Sequence, residues 1–213
     1  MSKPISLKEA ERKAFRTTHS DGLWDIFLGC FFLMFVIAPY LSASLGDFWS
    51  SVVFLPFWGL VYLAIWLIRK YIVTPRIGLV KFGRARKNRL AKFSLVMLVV
   101  NILAFILGLV AALNFGRFPG QMIGIILGMI LLIGFSLAAY FLDFGRLYFY
   151  GLLVGLSPPV GEWLWNLGYV THHGFPVTFG ITSGIMILFG LVIFIRLLVN
   201  NPIPVESIPT EGA

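Results

Sequence analysis

The chain has 213 residues, of which 59% are hydrophobic, 16% aromatic and only 12% charged. A soluble domain carries roughly 25% charged residues, so this composition excludes a water-solvated fold, a separate soluble catalytic domain and disorder. The formal charge is +8, from 17 Lys and Arg against 9 Asp and Glu. In a soluble protein that excess would suit nucleic acid. Here the basic residues flank apolar runs, which points to anionic lipid headgroups and excludes nucleic acid as a partner.

The first predicted element lies within residues 1–21. Ser6-Leu7-Lys8-Glu9 forms a capping box, and Leu7, Ala10, Ala14 and Phe15 share a face opposite Lys8, Arg12, Lys13 and Arg16. This reads as an amphipathic helix on the cytoplasmic membrane surface. A six-span domain follows over 22–199, with spans at 22–42, 48–68, 93–113, 121–142, 147–167 and 176–199. Each is close to the roughly 20 apolar residues that a bilayer requires. The first run exceeds the roughly 7–15 apolar residues of a secretory signal, so it is read as an uncleaved span. The connections are short except for the basic segment 69–92. The tail 200–213 contains Pro202, Pro204 and Pro209 and is expected to be extended and flexible. The expected fold class is all-α, a polytopic transmembrane bundle of about six spans with an interfacial N-terminal helix.

Six spans with the N-terminus inside put 16 of the 17 basic residues on the cytoplasmic side and leave Arg117 outside. That asymmetry is the positive-inside pattern, and it makes both termini cytoplasmic in the cell membrane. Gly120, Gly124 and Gly128, then Gly151 and Gly155, then Gly180 and Gly184, recur at every fourth residue. Such faces let helices approach closely in lipid, so the last three spans are expected to form a tight bundle. Whether the same faces join two copies is left open. The single cysteine, Cys30, makes no internal disulfide and reads as a small packed hydrophobe.

The segment 69–92 holds nine basic residues and no acid. Thr74-Pro75 is expected to end the preceding helix, because proline disfavours helical geometry in the residue before it. From Arg84 the chain turns helical and runs into the third span. Arg76, Lys81, Arg84, Arg86, Lys87 and Arg89 are the candidate binders of lipid phosphate or a phosphorylated ligand, with a purely topological role as the alternative. Asp25, in the first turn of the first span, reads as a carboxylate favoured by the helix dipole and close to water.

In the fifth span, Ser157-Pro158-Pro159 is expected to break the helix, free the carbonyls of Val154 and Gly155, and let Ser157 cap a restarted half-helix. Val154, Gly155, Ser157 and Glu162 are therefore the candidate transport site; a plain kink with an interfacial acid is the alternative. His172 and His173 lie within reach of Glu162, but their spacing matches no zinc pattern, and Arg117 is the expected ion-pair partner of Glu162. Asn101, Ser136, Thr178, Thr182 and Ser183 are expected to hydrogen-bond between helices. The chain carries no paired-carboxylate, GxSG or nucleotide-phosphate motif, so no catalytic residue, cofactor or metal is assigned.

Three stretches, His19-Ser-Asp-Gly-Leu-Trp-Asp-Ile-Phe-Leu-Gly29, Thr74-Pro-Arg-Ile-Gly-Leu-Val-Lys-Phe-Gly83 and Arg196-Leu-Leu-Val-Asn-Asn-Pro-Ile-Pro204, resemble uncharacterised multispanning membrane proteins of bacteria and archaea. The resemblance implies the membrane fold and brings no activity with it. The expectation is a non-enzymatic accessory or structural membrane protein whose basic loop contacts anionic headgroups or a protein partner, with a homo-oligomer left open. A small-solute or ion transporter using the broken fifth helix is the alternative, and a lipid-modifying membrane enzyme the second alternative.

Overall fold

The computed structural model describes residues 21–77, 84–113 and 119–202. Residues 1–20 of the expected surface helix, Lys81, Arg117 and the tail beyond Pro202 lie outside the described residues. Among those described, all regular structure is helical. The helices are α1 (Leu23–Leu45), α2 (Asp47–Ile68), α3 (Arg84–Leu113), α4 (Gly120–Leu142), α5 (Arg146–Asn166) and α6 (Phe175–Asn200). Five stretches, built on α1, α2, α3, α4 and α6, are long and apolar enough to cross a membrane. Helix α5 is not among them, because it carries Arg146, Ser157, two prolines and Glu162. It is also the most enclosed, with nine buried residues from Leu147 to Glu162, so protein rather than lipid solvates its polar groups.

The two largest interfaces are α1 with α6 and α4 with α5; α5 against α6 joins the two pairs. Helix α2 lies on α1, and α3 lies on α4. The lateral order is α2, α1, α6, α5, α4, α3, so every pair of sequence neighbours packs except α2 with α3. The connection between those two is the long basic segment. The core runs along α5 and comprises Phe32, Ala139, Phe144, Leu147, Tyr150, Val154, Phe179 and Met186. Phe32 and Phe35 stack on Phe179, with centroids 5.7 and 5.0 Å apart.

Glycine sets the closest approaches. A Cβ on Gly128 would collide with the carbonyl of Gly155, and one on Gly151 would lie 2.7 Å from the Cβ of Phe135. The expected tight packing is therefore found between α4 and α5. In α6 the expected face makes no close approach: nothing lies within 4 Å of a Cβ on Gly184, and one on Gly180 would reach Val36 of α1 at an ordinary 3.7 Å. Gly190 is used instead, packed against the backbone of Gly22, and Gly29 packs against Ser183 and Ile187. The main partner of α6 is thus α1, an interface that glycine spacing within the last three spans does not reveal.

Two expected breaks are absent. Helix α2 does not stop before Pro75. It passes through a π-turn, Arg69–Val73, into a further helical turn, Thr74–Ile77. The wider turn shifts the bonding register where proline lacks a donor: Thr74 N–H bonds Arg69 O, its hydroxyl donates to the same carbonyl at 2.8 Å, and Arg76 Nη1 donates to Ile72 O at 2.7 Å. Helix α5 likewise continues through Pro158 and Pro159.

Candidate functional site

Two buried polar clusters lie at opposite ends of α5. The first is at the end carrying most of the basic residues. Asp25, in the first turn of α1, is 0% exposed, which corrects the expectation of a water-facing carboxylate. The Tyr150 hydroxyl donates to its Oδ1 at 2.6 Å. Arg146, one turn before Tyr150 on α5, places Nη2 3.0 Å from Oδ2, an ion pair without hydrogen-bond alignment. One turn earlier, Asp21 accepts the Leu23 N–H on Oδ1 at 3.1 Å and pairs through Oδ2 with Arg69 Nη2 at 2.6 Å. The Arg69 guanidinium also lies over the Trp24 ring, 5.7 Å from its centroid. At the same end Arg89 Nη1 meets Asp143 Oδ2 at 3.0 Å, and Arg89 Nη2 donates to Tyr140 O. Asp143 caps α4 in the left-handed conformation with φ 51°, so Arg89 also serves the negative end of that helix dipole. These pairs tie α2 to α1, α1 to α5 and α3 to α4.

The second cluster is at the other end. Glu162 is 5% exposed. Its Oε1 meets His173 Nδ1 at 2.8 Å, while its Oε2 has no hydrogen-bond partner among the described residues. A Cβ on Gly120 would fall 2.7 Å from that Oε2, so the carboxylate lies on the first turn of α4, where the helix dipole favours negative charge. The His173 ring packs on Trp165, 4.3 Å between centroids. His172, His173 and Gly174 have φ of 51°, 55° and 68°, three successive left-handed residues that cost strain at the two histidines. The sharp turn lets Gly174 seat on Gly161, where a Cβ on either would meet the other's backbone. Glu162 is thus held by His173; its expected partner, Arg117, is outside the described residues.

Between the clusters, the Ser157 hydroxyl bonds its own helix at Leu153 O (2.9 Å) and meets Thr182 Oγ1 at 3.0 Å. It does not cap a restarted helix. Of the candidate transport residues, Val154 is fully buried, and the carbonyl of Gly155 faces the backbone of Gly128. Val154, Phe179 and Met186, each 2% exposed or less, belong to the apolar core that flanks the Ser157–Thr182 contact. Thr178, Ser183 and Asn101 bond to carbonyls of their own chain segment, Gly174, Gly180 and Met97. Among the described residues expected to bond between helices, Thr182, through Ser157, is the one with such a bond.

Of the six candidate phosphate binders, two have described side chains. Arg76 and Arg89 are engaged with Ile72 O and Asp143. Arg84, Arg86 and Lys87 open α3, and their side chains are outside the described residues, as is all of Lys81. Lys70 lies at the same rim, with Nζ 4.8 Å from the Trp66 ring centroid and 5.2 Å from that of Tyr71. Among the described residues, no three His, Cys, Asp or Glu side chains gather as a metal site. Tyr150, Arg146, Asp21 and Asp143 were not singled out from the sequence as partners. The usable signal was Asp25 itself, since an acid inside a span requires an internal partner.

Fold and clusters together define a multi-pass helical membrane protein. Comparison with family models, curated proteins and solved structures returns no match.

Proposed function

We propose that the protein is a non-enzymatic structural or accessory component of the cell membrane, with both termini cytoplasmic. Its basic end presents the segment 69–92 to anionic headgroups or to a partner protein. The observation that carries this reading is the set of arginine–aspartate pairs at that end, Arg69–Asp21, Arg146–Asp25 and Arg89–Asp143. They spend buried charge on fixing helix ends rather than on lining a path, and they hold the start of α3 and the end of α2 as a rigid platform. Ion-coupled transport needs freed carbonyls or mobile polar groups, and those of α5 are packed or bonded. One observation favours transport all the same: the buried carboxylate of Glu162, whose Oε2 has no hydrogen-bond partner among the described residues.

The test uses the full chain in liposomes containing a spin-labelled anionic phospholipid. Arg84→Gln, Arg86→Gln and Lys87→Gln together should lower its relative association by up to about 100-fold, from ~1 kcal/mol per basic side chain near the surface. Unchanged association would refute the headgroup reading. Solute flux that vanishes in Glu162→Gln would establish the transport reading in its place.

A further inference from the structure

Helix α3 stands at one edge of the row. It packs on α4, and its apolar span, Asn88–Val110, contains no buried residue. The partly covered positions Phe93, Val96, Met97, Val100 and Ala104 recur at spacings of three and four. With Phe93 5.8 Å from the Phe141 ring, they mark the side turned to α4. Beside that strip, and one helical column round, lies Asn101. It is exposed, and it sits near the middle of the span. Its Nδ2 donates to Met97 O at 2.7 Å, a bond within the helix, and no described residue satisfies its Oδ1.

Hydrocarbon offers an amide neither donor nor acceptor, so an unfilled carbonyl oxygen at this depth carries a desolvation cost that lipid cannot repay. The surface that covers it must bring a donor to the middle of the bilayer. We propose that this face of α3 is the contact between two copies of the chain, with the Asn101 amides paired across a two-fold axis along the membrane normal. Such an axis brings the same residue of each copy to the same depth, and an amide is both donor and acceptor, so asparagine complements itself there. Ser94 and Gly108 continue the column at seven-residue spacing. A Cβ on Gly108 has nothing within 4 Å, so a facing helix has room to come close. Asn101 in an otherwise apolar seam fixes register as a buried polar residue does in a coiled coil.

The experiment is disulfide scanning of the full chain in liposomes, in a Cys30→Ser background, at increasing dilution into lipid. Ser94→Cys and Gly108→Cys should cross-link two copies on mild oxidation. Val99→Cys and Ile106→Cys, equally exposed but on the opposite side of α3, should not, because a disulfide needs Cα atoms within roughly 7 Å. Adding Asn101→Leu, a lipid-compatible change at an exposed site, should weaken dimerisation about 5- to 30-fold, the worth of an interhelical amide bond in model spans, while Asn101→Gln should restore most of it. Equal cross-linking on both sides, or association indifferent to Asn101→Leu, overturns the proposal. So does a chain that stays monomeric at every dilution, or one that loses a different co-purifying protein on Asn101→Leu without ever cross-linking to itself.

Discussion

Tyr150→Phe removes one hydroxyl from a residue that is 1% exposed and leaves the ring, so almost no cavity forms. What is lost is a 2.6 Å bond to the carboxylate of Asp25, itself 0% exposed. Hydrogen bonds to charged groups contribute about 1.5–3 kcal/mol. Asp25 keeps Arg146 as counter-ion, but that guanidinium is 30% exposed, so part of its attraction is screened by water. The carboxylate is not orphaned, and the lower part of the range applies, about 1.5–2 kcal/mol. The assay is tryptophan fluorescence during SDS-driven unfolding in mixed micelles. Tyr148→Phe, at a neighbouring residue that is 49% exposed, should stay within about 0.5 kcal/mol of the native chain. A double-mutant cycle with Asp25→Asn should return a coupling of about 1 kcal/mol or more. If Tyr150→Phe behaves like Tyr148→Phe, or the coupling vanishes, the buried cluster does not stabilise the fold as argued.

Further outcomes follow from the other contacts. Gly128→Ala should destabilise by about 1–3 kcal/mol in the same assay, because its Cβ meets the Gly155 carbonyl and the two backbones must separate. Gly134→Ala, with nothing within 4 Å of the added Cβ, should be neutral or slightly stabilising by helix propensity. Glu162→Gln keeps shape but removes the charge facing His173 and α4, so amide exchange across the His172–Gly174 turn should quicken; unchanged exchange would remove Glu162 as the anchor of that turn. Arg89→Gln should accelerate exchange at the last turn of α4, where Asp143 and the Tyr140 carbonyl lose their contacts with the guanidinium.

The spans were legible in the sequence because lipid imposes a length and an apolarity that few residues can disguise. Each expected span coincides with a helix, and the described part of α3 begins at Arg84. The breaks were misjudged because local proline rules ignore neighbours. At Pro75 a π-turn and Arg76 accommodate the missing donor, and at Pro158–Pro159 α5 continues as one element packed between α4 and α6. The clusters were harder to foresee. Glu162 and His173 are near in sequence and their meeting was anticipated as a reach, whereas Asp25 and Tyr150 are separated by 125 residues, and nothing in either segment names the other. Only the packing of α1 and α5 on α6 brings them together.

The account rests on a row of spans whose basic end faces the cytoplasm. Single cysteines at Lys81 and at Thr171, in a Cys30→Ser background, test it when intact cells are treated with a membrane-impermeant maleimide. The account predicts labelling at 171 in intact cells and labelling at 81 only after the membrane is opened. Labelling of both positions from the same side would contradict it.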